Sequence, residues 1–149
     1  MIVPDVNVLV HGFREDSPHF HRCSGWLEDV VNGPDDLGLA EFVLLGVVRI
    51  ATNPRVFVKP TAPADALQFI RALREAPRAR RVAATPRTWT LLTELVEGDA
   101  QIRGNLVPDA WLAALALSHG AHLATADRGF ARYPGLALID PTRPEPSAR

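Results

Sequence analysis

Apolar residues in this chain alternate between short continuous runs and longer stretches with helical spacing. The short runs predict five β-strands, one ending just before Asp5 and the others at residues 37–39, 81–84, 121–125 and 136–139. The longer stretches predict helices between them: one following Asp5, and others from Ser17 to Gly33, Glu41 to Asn53, Thr61 to Pro77, Thr85 to Gly98 and Asn105 to Gly120. Strands that alternate with helices are typical of an α/β domain with a parallel sheet.

Length and composition limit the class of protein. With 149 residues, 47% of them hydrophobic and 22% charged, the chain can form one globular domain with its own core. We expect this domain to span residues 1–141, followed by a proline-rich tail at 142–149 that we expect to be mobile. Cys23 is the sole cysteine, and no signal peptide or membrane-spanning run is visible, so a soluble cytoplasmic protein is expected.

The charge pattern gives no clear indication of a partner. The net charge is −1, and Lys59 is the only lysine, so nearly all the basic residues are arginines. Arginine suits phosphate and carboxylate partners, but a coding bias explains the same composition. A cluster of arginines could contact the phosphates of a nucleic acid or simply face solvent, and both interpretations stay open; its members are Arg71, Arg74, Arg78, Arg80, Arg81 and Arg87.

Acidic residues follow several of the predicted strands. Asp5, Glu41 and Asp127 each follow a strand, and Asp109 opens the helix that leads into the fourth strand. Each acid alone could be an ordinary helix cap or first-turn residue. Right-handed connections, however, bring the carboxyl ends of parallel strands to one edge of the sheet, where ligands bind. The sequence therefore predicts that the four acids converge on one site.

Convergence of four carboxylates would require a counter-ion. Two carboxylates about 4 Å apart repel each other by about 4 kcal/mol at an effective dielectric constant near 20. Because the ligands are all oxygens, Mg²⁺ or Mn²⁺ would be the natural partner, and such an ion can support hydrolysis of a phosphate ester. Asn7 and Thr125 lie beside Asp5 and Asp127 in the sequence and suit a supporting role, orienting the acids or contacting the phosphate.

These motifs, taken together, resemble those of PIN-domain ribonucleases, specifically the VapC toxins of VapBC toxin–antitoxin modules. The resemblance spans Met1 to about Asp140 and depends on four groups of residues: 5–9; 41–45 with Arg49 and 52–57; 104–107 followed by 109–110; and 123–130. It implies a three-layer α/β/α domain with a five-stranded parallel sheet. It also implies an endoribonuclease that depends on Mg²⁺, or on Mn²⁺ as a substitute.

The same resemblance assigns roles to individual residues. Asp5, Glu41, Asp109 and Asp127 match the acidic quartet of the family; Asp5, Asp109 and Asp127 would hold the metal, and Glu41 would position or deprotonate the attacking water. Asn7 and Thr125 would support them. The implied partners are an RNA substrate, a VapB-type antitoxin that blocks the acids, and a second copy of the chain in a homodimer. Candidate RNA contacts are Arg49, Arg78, Arg80 and Arg81.

Two other functions remain as alternatives. A Mg²⁺-dependent phosphatase or phosphotransferase would need a second aspartate near Asp5 and a lysine close to the phosphate. Asn7 stands where that second aspartate would be, and Lys59 lies in a predicted loop. A catalytically silent RNA-binding PIN module is the other alternative, although such proteins usually lack one of the acids, whereas this chain carries all of them.

Overall fold

A computed structural model describes residues 1–143, which form a five-stranded parallel sheet in the order β3-β2-β1-β4-β5. The strands are short, and β1 lies at the centre of the sheet. Their bounds are β1 Ile2–Pro4, β2 Leu37–Leu39, β3 Ala79–Arg81, β4 His122–Ala124 and β5 Leu138–Ile139.

Six α-helices and two short 3₁₀ helices connect the strands. The α-helices are α1 Val6–Phe13, α2 Phe20–Asn32, α3 Glu41–Ala51, α4 Pro63–Glu75, α5 Pro86–Gly98 and α6 Val107–Ser118. The 3₁₀ helices, at Gly104–Leu106 and Arg128–Arg132, precede α6 and follow β4. None of the helices in the described part of the chain is long and apolar enough to cross a membrane.

The helices form two groups, one on each side of the sheet. Helix α1 packs against α2 and α3, α3 packs against α4, and α5 packs against α6. Right-handed crossovers place the first four helices on one face and the last two on the other. The predicted three-layer α/β/α architecture with a five-stranded parallel sheet is therefore confirmed.

The contact between α1 and α3 brings the functional edge of the sheet together. Gly46 on α3 lies so close to Val6 on α1 that an added Cβ would stand 2.9 Å from a Val6 methyl group. Val3, Leu9, Val43 and other apolar side chains beneath this crossing are buried. Since packed cores do not accept extra atoms without strain, this position favours glycine.

Three helix starts differ from the prediction, since α6 begins at Val107 rather than at Asn105, which lies in the preceding 3₁₀ helix. The other two are α2 and α4. Helix α2 begins at Phe20 rather than at Ser17, although the Ser17 hydroxyl does accept a hydrogen bond from the His19 amide (3.2 Å). Thr61 does not cap α4: the N-cap is Ala62, and the Thr61 hydroxyl accepts a hydrogen bond from Arg14 instead (2.9 Å). In both cases a tertiary partner of the hydroxyl competes with local capping, because Ser17 Oγ also lies 2.6 Å from His11 Nδ1 and Thr61 bonds to Arg14.

The third strand was predicted two residues too late. It covers Ala79–Arg81 rather than residues 81–84, because the hydrogen-bonded register with β2 pairs Leu37 with Ala79 and Leu39 with Arg81. The apolar run that suggested the later position contributes only Val82, which donates its amide to Leu39 (2.9 Å) and is buried. An edge strand tolerates exposed arginines, which the hydrophobic pattern does not reveal.

The expected tail lies largely outside the described residues. Within it, Thr142 and Arg143 form a turn at Asp140: the Thr142 amide donates to the Asp140 carboxylate (3.0 Å), and Arg143 pairs with it at 3.0 Å. Residues 144–149 are not among those described. The boundary at residue 141 and the mobility of the tail therefore stay predictions.

Candidate active site

Three of the four predicted acids line one cavity at the carboxyl edge of the sheet. Asp5 follows β1 and is the N-cap of α1, Asp109 lies in the first turn of α6, and Asp127 follows β4. The cavity that they share has a volume of about 570 Å³. That volume falls in the range of about 300–1,000 Å³ typical of ligand sites.

Asp5 is held by hydrogen bonds on both carboxylate oxygens. Oδ1 accepts from the Val6 amide (2.6 Å), and Oδ2 accepts from the Asn7 side-chain amide and the Thr125 hydroxyl, both at 2.9 Å. A carboxylate has about four acceptor positions, so one remains for another partner. The orientation of Asp5 is therefore fixed by its surroundings.

Asn7 and Thr125 also connect Asp5 to the loop after β4. The Thr125 hydroxyl accepts a hydrogen bond from the Asp127 amide (3.0 Å), and Asn7 Oδ1 accepts one from the Ala126 amide (3.3 Å). These two side chains therefore bridge the ends of β1 and β4 and set the spacing between Asp5 and Asp127.

The environment disfavours negative charge at two of the acids. Burial raises the pKa of Asp5, hydrogen bonds from Thr125 and Val6 oppose that rise, and the charges of Asp109 and Asp127 add to it. Burial also raises the pKa of Asp109, with Asp127 contributing, while Arg132 opposes the rise. The mutual effects mean that the three carboxylates lie close enough to repel one another, as expected where a cation would normally compensate them.

The carboxylates offer free acceptor atoms of the kind that Mg²⁺ and Mn²⁺ prefer. Asp127 accepts a hydrogen bond from Gly129 on Oδ1, which leaves Oδ2 without a side-chain or backbone donor in the described structure. No group of three or more acidic, histidine or cysteine side chains within residues 1–143 is arranged closely enough to hold a metal ion directly. Because Mg²⁺ usually keeps several waters and uses only one or two protein carboxylates, the residues present fit such an ion.

Glu41 does not face this cavity. It follows β2 at the same edge of the sheet, but its carboxylate pairs with Arg81 (3.1 Å), and 73% of its side chain is exposed. It lines a separate, smaller cavity of about 200 Å³ together with Arg74, Arg80 and Arg81. The structure thus brings three of the predicted acids together and leaves the fourth beside them.

The predicted RNA-contacting arginines fall into two places. Arg49, on α3, lines the cavity that holds the three aspartates. Arg78 and Arg80 both pair with Asp36, at 3.0 Å and 3.5 Å, and Arg81 pairs with Glu41. These three arginines lie at or beside edge strand β3 and do not line the aspartate cavity; Arg80 and Arg81 line the smaller cavity instead.

Three residues near the acids were not identified from the sequence. His11 lines the aspartate cavity, and a signal for it existed, because it lies one helical turn after Asn7 on α1. Arg132 lies close enough to Asp109 to lower its pKa, and Asp109 in turn raises the pKa of Tyr133, after burial of that side chain. The Tyr133 hydroxyl is buried without a hydrogen-bond partner among the described residues. Nothing in the local sequence pattern indicates that Arg132 and Tyr133 approach α6.

These features are typical of one known class of protein: a five-stranded parallel sheet, helices on both of its faces, and acids at the carboxyl ends of its strands. The family model described as "PIN domain" matches residues 2–136, and the chain therefore belongs to the PIN domain family.

Within that family the chain is similar to VapC ribonucleases. It is 44% identical over 141 residues to a protein named VapC ribonuclease Mb2897 from Mycobacterium bovis, covering 95% of each chain. It is 34% identical over 145 residues to ribonuclease VapC33 from Mycobacterium tuberculosis, covering 96% of this chain and 99% of that protein. The resemblance stated from the sequence is confirmed.

Solved structures share the fold at low sequence identity. A chain of VapBC-1 from nontypeable Haemophilus influenzae superposes with a TM-score of 0.67 at 18% identity, covering 96% of this chain and all (100%) of that one. A chain of VapBC2 from Rickettsia felis, solved with a fragment of promoter DNA, gives a TM-score of 0.66 at 18% identity, covering 93% and 98%.

Proposed function

We propose that this protein is a ribonuclease toxin that hydrolyses RNA phosphodiester bonds and is inhibited by a VapB-type antitoxin. The observation that carries this proposal is the meeting of Asp5, Asp109 and Asp127 in one cavity at the carboxyl edge of the sheet. The identity to VapC ribonucleases over nearly the whole chain supports the same reaction.

We assign Asp5, Asp109 and Asp127 as the residues that would hold Mg²⁺, or Mn²⁺ in its place, either directly or through water. When bound, such an ion supplies a hydroxide at neutral pH and positive charge beside the phosphate oxygens. Asn7 and Thr125 then act by orienting Asp5, since each donates a hydrogen bond to Asp5 Oδ2, and the bond from Thr125 also opposes the rise in pKa that burial causes.

Glu41 is assigned as the acid that takes a proton from the attacking water at its carboxylate oxygens. In this structure those oxygens are paired with Arg81, at an exposed position. An exposed ion pair contributes about 0–1 kcal/mol, so little free energy is needed for Glu41 to leave Arg81 when substrate is present. Arg81 would at the same time become available for the RNA backbone.

The antitoxin and a second copy of the chain are the proposed protein partners. The aspartate cavity has an apolar wall on α3, where the side chains of Phe42 and Leu45 are 37% and 71% exposed. Exposed apolar side chains next to a charged site are typical of a surface that another protein covers. We propose that the antitoxin covers this wall and the acids together, that the toxin forms a homodimer, and that both act in the cytoplasm.

The phosphatase alternative receives no support from the positions of the residues. Lys59 is exposed in the loop between α3 and α4 and does not line the aspartate cavity. The second acid that such an enzyme needs near Asp5 is also missing, since Asn7 stands there and donates its side-chain amide to Asp5 Oδ2 (2.9 Å).

The deciding experiment is cleavage of total RNA by antitoxin-free protein. We expect cleavage with MgCl₂, none with EDTA, and none with the Asp5→Asn variant. Glu94→Gln, which changes an exposed acid on α5, is the matched control and should retain full activity. RNA binding without cleavage under all these conditions would contradict the proposal and favour a silent RNA-binding module.

A further inference from the structure

The aspartate cavity contains a second set of polar groups that hydrolysis does not require. His11 from α1 and Arg49 from α3 both line it, whereas the acids come from the ends of β1 and β4 and from α6. Both side chains can donate hydrogen bonds, and neither type of side chain is a preferred ligand of Mg²⁺. We therefore expect His11 and Arg49 to bind a ligand other than the metal ion.

The imidazole of His11 is held in a fixed orientation. Its Nδ1 lies 2.6 Å from the Ser17 hydroxyl, and that hydroxyl accepts a hydrogen bond from the His19 amide (3.2 Å). The His19 ring packs edge-on against the His11 ring, with 5.0 Å between ring centroids. Within residues 1–143, the hydrogen bond of the His11 ring uses Nδ1, and Nε2 has no partner. The Nε2 edge of a positioned imidazole is thus available to a ligand in the cavity.

The surroundings also determine the charge of the imidazole. Burial lowers the pKa of His11, and the nearby His19 lowers it further. Among residues 1–143, the charged groups that line the cavity are the three aspartates and Arg49. A lowered pKa keeps His11 neutral at pH 7, so it would contribute hydrogen bonding and ring contact rather than charge.

Arg49 has the complementary property, since its guanidinium is always charged and matches the geometry of a phosphate. It is exposed on the last turn of α3 and, in the described residues, forms no ion pair with an acidic side chain. Histidine rings, in contrast, stack on unpaired bases and hydrogen-bond to their edges in RNA-binding sites. One cation and one neutral ring in a single cavity together match the two chemical parts of a nucleotide.

On the basis of the proposed ribonuclease function, we propose that His11 and Arg49 form a nucleotide-binding subsite beside the scissile phosphate. Arg49 contacts a backbone phosphate adjacent to the one that is cleaved, and His11 contacts the nucleoside attached to it. Ser17 is a positioning residue that sets the orientation of the His11 ring.

The phosphate contact and the histidine contact should affect the affinity for RNA, and its dependence on salt, in different ways. Each phosphate contact on a single strand contributes about 0.7 to the slope of log affinity against log salt. Arg49→Gln should therefore weaken binding and reduce the salt slope by about that amount. His11→Ala should weaken binding about three- to tenfold without changing the slope, because a neutral hydrogen bond releases no counter-ions.

The experiment measures the affinity of a short fluorescent single-stranded RNA in EDTA over a series of KCl concentrations. EDTA prevents cleavage, so binding is read separately from chemistry. Ser17→Ala should reproduce part of the His11→Ala loss while leaving the histidine in place, which covers the case in which His11→Ala fails to fold. His122→Gln and Ser24→Ala, at residues outside the cavity, are the matched controls and should bind like the parent.

The outcomes separate this proposal from the proposed function. Unchanged affinity in both His11→Ala and Ser17→Ala, or an unchanged salt slope in Arg49→Gln, would overturn the subsite even if the parent cleaves RNA in MgCl₂. If the variants change RNA affinity and salt slope as expected but the parent never cleaves RNA, the subsite is supported and the ribonuclease function is wrong. A parent protein that does not bind RNA would overturn both.

Discussion

At the scale of single residues, the site depends on how each carboxylate is surrounded. Asp5 has hydrogen-bond donors on both oxygens, whereas the Asp109 carboxylate accepts no hydrogen bond from the part of the chain that the structure describes, and its pKa is raised by burial and by Asp127. The unligated protein therefore carries an electrostatic cost at Asp109 that serves no structural purpose. Residues selected for activity commonly reduce stability in this way.

Asp109→Asn should accordingly stabilise the metal-free protein while abolishing activity. Because the pKa of Asp109 is higher in the folded state than in the unfolded state, ionised Asp109 lowers the free energy of unfolding. This loss of stability develops as the pH rises through the folded-state pKa, and it is absent when Asp109 is protonated. The gain should therefore be full at pH 7 and vanish below the ordinary aspartate pKa of 3.8. For each kcal/mol gained, the Tm in EDTA should rise by about 2–4 °C. A variant that melts below its parent at pH 7 in EDTA would contradict crowding of the acids.

Cys23 provides a second test at this scale, away from the site. The thiol is buried, and burial together with the charge of Asp140 raises its pKa to about 11. At pH 8 only about one thiol in a thousand would be ionised, so iodoacetamide should label Cys23 slowly in the native protein and quickly in guanidinium chloride. Mass spectrometry measures this directly, and rapid labelling of the native protein would show that Cys23 is accessible.

At the scale of secondary-structure elements, one buried arginine connects distant segments. Arg14, just after α1, donates two hydrogen bonds to Asp16 (2.9 Å and 2.7 Å) and one each to the Thr61 hydroxyl and the Lys59 carbonyl, both at 2.9 Å. Its guanidinium also lies 3.7 Å from the centre of the Phe57 ring. The loop between α3 and α4 is thereby held against the end of α1.

Arg14→Met should destabilise the protein by about 2–4 kcal/mol, because several charge-assisted hydrogen bonds are lost and their partners remain. Arg71→Met is the matched control, since Arg71 forms only an exposed pair with Glu75 at 3.8 Å. That pair should contribute less than about 0.5 kcal/mol. Urea unfolding measures both changes, and equal effects of the two substitutions would show that Arg14 is not a structural connection.

The elements also show what a sequence can and cannot predict. Apolar runs and helix-start signals located all five strands approximately, as well as the capped start of α5 at Thr85. They misplaced β3, because pairing with β2 decides the register of an edge strand, and they misplaced the start of α2, because Ser17 bonds to His11 from another helix. Tertiary partners of this kind leave no periodic signal in the sequence.

The candidate site was predictable to the extent that topology determines it. Right-handed crossovers bring Asp5 and Asp127 together at the ends of adjacent strands β1 and β4, and α6 brings Asp109 to them. The direction of the Glu41 side chain depends instead on Arg81, a residue 40 positions away in the sequence. The positions of Arg132 and Tyr133 likewise depend on packing against distant residues, which the sequence pattern does not encode.

At the scale of the whole molecule, the fold brings together charges that need a cation. An ion that binds only the folded state should stabilise it by about 2.7 kcal/mol at a hundred times its Kd. The Tm of the parent and of Glu94→Gln should therefore rise with MgCl₂, and that of Asp5→Asn should not. A rise of equal size in all three proteins would indicate that the ion binds elsewhere.

The most direct measurement of the central claim is anomalous diffraction at the manganese absorption edge from crystals soaked in MnCl₂. We predict a strong anomalous peak within the cavity formed by Asp5, Asp109 and Asp127, absent from crystals of Asp5→Asn. A fully soaked crystal with no peak between these carboxylates, or with its peaks only at other surfaces, would contradict the account.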